Sequence, residues 1–229
     1  MPASKMGRRL GSITGAFAAL TALVSSTSAI PFGVQIYSCT TPGVIASAFD
    51  DGPWIYSEDI LDRMEAAGFT ATWFINGDNK GKIYDYNSTA SPSTNFTHTR
   101  TSTDRNTRWS HANLSSLSPT AIRNEMTFLE DAMTNMLGFF PYYMRPPFLA
   151  ANSQALGVLK ELEYHVIISD LNTKDWKYQS ADTIREAKEM FDQGLERGYS
   201  IVEAHDQAEW TQGELIDYMI KVVRKRSIK

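Results

Sequence analysis

Short apolar runs alternate with amphipathic stretches along most of the chain. Runs rich in β-branched and aromatic residues predict strands over residues 44–49, 70–75, 142–144, 165–169 and 200–204. Apolar residues at helical spacing predict helices that begin at Ser57 and Pro119, and others over residues 155–162, 181–195 and 213–225. This alternation predicts parallel strands with helices outside, either as a (β/α) barrel or as an open doubly wound sheet. In both architectures, ligands bind beyond the carboxyl ends of the strands.

One segment, residues 87–108, lacks this periodicity. It contains four Ser, seven Thr and three Arg, and it is almost free of apolar residues. Such a composition predicts a disordered surface insertion. Asn87, Asn95 and Asn113 each begin an Asn-x-Ser/Thr sequon, and we expect any glycans on the first two.

The first 29 residues differ from the rest of the chain. A basic start, a short apolar stretch and small residues predict a signal peptide rather than a membrane span, which leaves one domain over residues 30–229. Without residues 1–29, which hold three basic residues and no acids, 19 basic residues face 26 acidic ones. The basic tail 221–229 is the only basic patch, so we expect no nucleic-acid partner. No other apolar stretch is long enough to cross a bilayer, so we also expect no membrane span. The lone Cys39 is either a free thiol or half of a pair whose other member the chain lacks.

Polar residues cluster where four of the predicted strands end. Two adjacent carboxylates cannot both stay ionised in a partly buried place without help. A metal ion held by one of them supplies that help and activates water, which the other carboxylate can deprotonate. Glu203 shares a strand face with the nearby histidine and either raises the pKa of its imidazole or pairs with another base. The residues at the strand ends are Asp50, Asp51, Arg145, Asp170, Asp175, His205 and Asp206.

Four motifs follow one another in order: FDDGP at residues 49–53, RPPF at 145–148, DW at 175–176 and IVEAHD at 201–206. Because of these motifs, residues 44–225 resemble the polysaccharide deacetylases of carbohydrate esterase family four, which have a NodB-like domain. The resemblance is strongest to the fungal chitin deacetylases. The resemblance implies an α/β fold, a distorted (β/α) barrel with fewer than eight parallel strands and helices outside.

The resemblance also implies which residues transfer protons during catalysis. By this analogy Asp50 is the general base that takes a proton from the attacking water, and Arg145 orients it. His205 protonates the leaving amine, and Asp175 orients and charges His205.

Metal and substrate residues are implied in the same way. Asp51 and His111 correspond to ligands of Zn²⁺ or another divalent transition metal. The backbone N–H of Phe148 helps to hold the oxyanion, Trp176 walls the acetyl pocket, and Pro147 contributes to substrate binding.

The sequence departs from the family pattern at one expected metal ligand. Thr107 stands four residues before His111, where the family has the first histidine of a His-x-x-x-His pair. A neutral hydroxyl is a poor zinc ligand, so we expect weakened metal binding. The surrounding segment 87–108 is either a frameshifted or misjoined coding stretch or a true insertion in a divergent protein. We also expect the middle strand of the family to be missing there, and the C-terminal end to be short.

These observations predict a secreted, zinc-dependent hydrolase that removes N-acetyl groups from chitin or chito-oligosaccharides. We expect it to be extracellular, at the cell wall, and monomeric. One alternative is an O-acetyl xylan esterase or a peptidoglycan deacetylase, because the motifs serve all three substrates. The other is an inactive carbohydrate-binding pseudoenzyme, because Thr107 replaces a metal-ligand histidine.

Overall fold

The computed structural model describes residues 30–84 and 102–228, and only the backbone of residues 102–108. The predicted signal peptide and the sequons at Asn87 and Asn95 lie outside the described residues. The described chain contains one sheet of eight strands. These strands are β1 Gln35–Ile36, β2 Ala46–Asp50, β3 Ala71–Asn76, β4 Ser102–Arg108, β5 Tyr143–Met144, β6 His165–Ile167, β7 Leu171–Asn172 and β8 Ile201–His205.

The strand order is β1-β6-β5-β4-β3-β2-β8-β7, and each neighbouring pair is parallel. The α/β class with parallel strands is therefore confirmed, and over the described residues the sheet stays open between β1 and β7. The expected count of fewer than eight strands needs correction. The strands β1 and β7, which were not predicted, are only two residues long, and a periodic pattern cannot show in so short a stretch.

The strand β4 corrects a second expectation, because it lies in the segment predicted to be a disordered insertion. It pairs with β3 on one side and with β5 on the other, so the middle strand of the sheet is present. Near its carboxyl end Asn106 pairs with Ile75, whereas Arg108 pairs with Asn76. Thr107 is therefore the extra residue of a bulge.

Five helices of two or more turns cover the sheet within the described residues. The helix over Pro119–Leu137 illustrates how local sequence sets their bounds: the Ser118 hydroxyl accepts a hydrogen bond from the Ala121 N–H, Pro119 occupies the first turn, and Gly138 ends the helix with a φ of 79°. No helix in residues 30–84 or 102–228 combines the length and apolar character that crossing a bilayer requires. The helices are α1 Ser57–Ala66, α2 Pro119–Leu137, α3 Ser153–Glu161, α4 Ile184–Glu196 and α5 Ile216–Arg226.

Packing between the sheet and the helices buries most of the predicted apolar faces. Phe49 and Trp73, on adjacent strands, stack with ring centroids 5.3 Å apart beneath α1 and α2. A separate cluster joins β7 and β8 to α4 and α5. The carboxyl ends of the strands thus stand on a packed scaffold, which fixes the positions of the side chains that follow them.

Candidate active site

Asp50 is the last residue of β2, and its carboxylate is buried beside Arg145, which follows β5. Nη1 of Arg145 donates to Oδ1 of Asp50 at 2.7 Å, while Nη2 donates to the Ile168 carbonyl at 3.3 Å. The guanidinium also stacks on the Phe74 ring at 4.4 Å. Burial raises the pKa of Asp50 to about 7, against the opposing effect of the Arg145 charge.

Asp51 begins the turn after β2 with a φ of 73°, a left-handed conformation that aspartate tolerates better than most residues. Its Oδ1 lies 2.8 Å from Nε2 of His111, and its Oδ2 accepts a hydrogen bond from Nε2 of Gln207 at 3.0 Å. Burial favours the neutral acid, but the His111 hydrogen bond and the His205 charge outweigh it, so the pKa of Asp51 is lowered. Asp51 is therefore an ionised carboxylate at neutral pH.

His205 ends β8 and is held by Asp175 from the loop after β7. Nδ1 of His205 lies 2.7 Å from Oδ1 of Asp175, and the His205 backbone N–H donates to Oδ2 at 2.7 Å. The Thr211 hydroxyl donates to the same Oδ2 at 2.5 Å. Burial opposes protonation of the imidazole, but the Asp175 charge raises the pKa of His205 to about 10. Hydrogen bonds and the His205 charge conversely lower the pKa of Asp175 against its burial.

A cavity of about 470 Å³ lies at the carboxyl end of the sheet, and each of the three pairs contributes to its wall, except that Asp175 is buried behind His205. Phe148 and Trp176 form part of its wall, with 68 % and 58 % of their surfaces exposed, and the buried Pro147 lies beside them. The Phe148 ring meets His111 edge-on at 4.9 Å, and its backbone has a φ of 57°. The structure therefore brings together all nine residues that the resemblance assigns to the site.

Two further residues in the cavity wall received no role, or no settled one, from the sequence. Gln207 lies beyond the end of β8 and binds Asp51, and no residue pattern signals such a loop amide. Glu203 is buried near Asp50 and His205, and its Oε2 has no hydrogen-bond partner among the described residues. Burial raises the pKa of Glu203, which the Arg145 and His205 charges oppose.

Asp170 and Asp206, also named as strand-end candidates, do not line the cavity. Asp170 precedes β7 and accepts hydrogen bonds from the N–H groups of Ser200 and Ile201, at the start of β8. Because all strands are parallel, this is the opposite end of the sheet. Asp206 is completely buried behind the site.

The chemistry of the donors decides whether a divalent cation fits here. A carboxylate oxygen and an imidazole nitrogen 2.8 Å apart, in Asp51 and His111, fit two of the three protein ligands of a typical catalytic zinc. Another group of possible ligand atoms, from Asp50, Glu203 and His205, lies within 4.8 Å of one another. We favour Asp51 and His111 as the cation site. Arg145 is paired with Asp50, so its positive charge repels a cation from the group of Asp50, Glu203 and His205.

The sequence profile described as polysaccharide deacetylase matches residues 37–167 of the chain. A chitin deacetylase from Pestalotiopsis is 38 % identical over 201 residues, which cover 88 % of this chain and 66 % of that protein. A probable peptidoglycan-N-acetylglucosamine deacetylase from Arthroderma benhamiae is 38 % identical over 89 % of this chain and 46 % of its own length. The chain therefore spans about half to two thirds of the length of these two relatives.

The chitin deacetylase of Colletotrichum lindemuthianum matches in both sequence and structure. It is 30 % identical over 93 % of this chain and 89 % of its own length. Its solved structure aligns with a TM-score of 0.81 and covers 87 % of this chain and 89 % of that one. The likeness thus includes the sheet, the surrounding helices and the carboxyl ends of the strands.

Proposed function

The chain belongs to the polysaccharide deacetylase family, and on that premise we propose that it removes N-acetyl groups from N-acetylglucosamine units of chitin or chito-oligosaccharides. The observation that carries the proposal is the pairing of Asp50 with Arg145 and of Asp175 with His205, which places Asp50 and His205 in the wall of one cavity. One pair supplies a carboxylate poised near neutral pH, and the other an imidazolium that persists to high pH. General acid–base hydrolysis needs such a base and such an acid side by side.

In the proposed reaction, water attacks the carbonyl carbon of the acetamide while Asp50 accepts its proton. Arg145 holds the Asp50 carboxylate in the orientation that faces the cavity. The backbone N–H of Phe148 donates to the oxygen that becomes negatively charged. His205 then gives its proton to the nitrogen as the carbon–nitrogen bond breaks, leaving acetate and a free amine.

Supporting residues keep these groups in the required states. Asp175 keeps the imidazole of His205 charged and fixes its ring through two hydrogen bonds. Trp176 and Pro147 wall the cavity beside His205 and position the acetylated sugar. The Gln207 amide holds the second oxygen of Asp51.

We assign Asp51 and His111 as the ligands of a divalent ion, for which zinc suits a mixed carboxylate and imidazole set. When bound, such an ion lowers the pKa of water and polarises the carbonyl oxygen of the substrate. The lowered pKa of Asp51 keeps this ligand ionised across the neutral range. Because Thr107 takes the place of a third imidazole, metal affinity and activity should both be low.

The proposed substrate agrees with a secreted, extracellular and monomeric protein. Chitin and peptidoglycan are cell-wall polymers, and residues 1–29 have the sequence character of a signal peptide. Fractionation of a tagged chain from a fungal host between medium, wall and cells tests the location. Retention inside the cell with residues 1–29 still attached would contradict it.

The test of the activity is release of acetate from chitin oligomers, peptidoglycan fragments and acetylated xylan, with zinc content measured on the same sample. We expect release from chitin oligomers that rises with added zinc. Release from xylan alone would make the protein an O-acetyl esterase. Thr107 favours one further candidate, a carbohydrate-binding pseudoenzyme, which would bind chitin oligomers and release no acetate even with added zinc.

A further inference from the structure

Asp206 lies directly behind the turn that carries Asp50 and Asp51. It follows His205 at the end of β8, and it is fully buried, so it cannot touch a polysaccharide. The proposed reaction gives it no part. Burying a carboxyl group destabilises the fold unless hydrogen bonds offset the loss of hydration, so the contacts of Asp206 indicate what it does.

The contact between Asp206 and the turn is unusually close. A Cβ atom added to Gly52 would lie 2.0 Å from Oδ2 of Asp206 and 2.6 Å from its Oδ1. Only glycine can occupy this position while the carboxyl group stays where it is. The peptide of residue 52 and the Asp206 side chain are therefore packed directly against each other.

Hydrogen bonds extend this contact along the turn. The Ser57 hydroxyl donates to Oδ2 of Asp206, and Oγ of Ser57 accepts from the Trp54 N–H at 2.8 Å. On the opposite side, the Asp51 N–H donates to the Phe74 carbonyl at 3.1 Å. The turn is thus held by β3 through its backbone and by β8 through the Asp206 side chain.

We propose that Asp206 is a positioning residue, which fixes the turn bearing Asp50 and Asp51 relative to His205 through its contact with Gly52 and its hydrogen bond with Ser57. The inference rests on the proposed function for its effect on catalysis. Nε2 of His205 lies 4.0 Å from Oδ2 of Asp51, so a small rotation of the turn changes the spacing of acid, base and metal ligand. Misplacement by about 1 Å can cost a factor of about 10² in rate.

The test compares Asp206→Ala, Asp206→Asn and Ser57→Ala with the wild type. Asp170→Ala is the matched control, because Asp170 also binds β8, but at the end remote from the site. Hydrogen–deuterium exchange of the peptide covering residues 51–57 reports on the turn directly. The values of kcat and KM for acetate release from chitin oligomers report on its catalytic consequence.

We expect Asp206→Ala and Ser57→Ala to speed exchange in residues 51–57 by about tenfold or more. Both should lower kcat by about tenfold to a hundredfold with little change in KM. Asp206→Asn keeps an acceptor oxygen for Ser57, so its exchange rate in residues 51–57 and its kcat should lie much closer to the wild-type values than those of Asp206→Ala. Asp170→Ala should leave both close to the wild type, and Ser57→Ala still provides the test if Asp206→Ala does not fold.

Exchange in residues 51–57 that is unchanged in the available variants, or that rises equally in Asp170→Ala, would overturn the positioning role. Failure of Asp206→Asn to restore either property would do the same. Failure of the proposed function gives a different result: the wild type releases no acetate, while exchange in the turn still separates the Asp206 and Ser57 variants from the control.

Discussion

On the proposed roles, the site has a proton-transfer half, with Asp50, Arg145 and His205 in the cavity wall and Asp175 behind His205, and a metal-binding half, with Asp51 and His111 in the cavity wall. In the first, each acid meets its basic partner at 2.7 Å, and each pair joins two different strands or the loops that follow them. In the second, the two proposed ligands Asp51 and His111 lie 2.8 Å apart, but the position that the family resemblance assigns to a third ligand is Thr107, in a bulge at the end of β4.

This difference shows what each kind of chemistry requires of the fold. A charge pair needs only two side chains, and burial strengthens their attraction, so each pair stabilises its own geometry. A catalytic metal needs three ligands aimed at one point, so a single change of residue or register in one strand weakens the whole site. Substitutions in the two halves should therefore have different consequences.

Asp50→Asn should lower kcat by a factor of about 10²–10⁴, because it removes the general base, while leaving zinc content unchanged. Asp51→Asn should instead reduce zinc binding measured by titration calorimetry. Loss of zinc in Asp50→Asn together with retained activity in Asp51→Asn would reverse the two assignments.

The second prediction concerns the pH dependence set by His205. The acid must be protonated, so activity should fall as pH rises through about 10, the pKa of His205. Burial alone lowers the pKa of an imidazole, and Asp175 is the main group that raises it. Asp175→Asn should therefore move the alkaline limit of kcat/KM to lower pH by about 1–3 units.

Measurement of kcat/KM from pH 7 to 11 checks this shift, with Asp170→Asn as the control at the far end of the sheet. An alkaline limit that stays in place in Asp175→Asn would mean that His205 is not the acid.

Much of the fold and site could be predicted, because both depend on local patterns. The five predicted strands and five predicted helices all appear, with bounds shifted by up to about three residues, and the motif residues meet because parallel strands end at one edge. The strand β4 could not be predicted, because its sequence STDRNTR has no apolar periodicity and its pairing with β3 and β5 comes from the tertiary context.

The same reasoning explains the error at Asp170. The sequence places it after an apolar run and so at a strand end, but β6 stops at Ile167 and Asp170 instead precedes β7. Because only three residues separate the end of β6 from the start of β7, the apolar pattern reads as a single strand. The proposed role of Asp206 could not be predicted from the sequence for another reason: its contact with Gly52 joins residues more than 150 positions apart.

The third prediction concerns the proposed metal-binding half, in which Thr107 replaces a histidine. Thr107→His should strengthen zinc binding by about tenfold to a hundredfold, because an imidazole is a far better ligand than a hydroxyl. Thr103→His, four residues earlier in the same strand, is the control for a histidine remote from the site. Equal zinc affinity in both variants would mean that the bulge aims position 107 away from Asp51 and His111.

The last and smallest effect separates Glu203 from Asp175. Glu203 is buried close enough to His205 for their charges to attract, yet it makes no hydrogen bond to the imidazole. Glu203→Gln removes that charge while keeping the shape, so it should lower the pKa of His205 and move the alkaline limit to lower pH by less than about one unit. A shift as large as that of Asp175→Asn would make Glu203 an equal partner of the acid. An alkaline limit that does not move in Glu203→Gln would mean that Glu203 is neutral when His205 titrates, and that Asp175 alone supplies the charge that keeps the imidazole protonated.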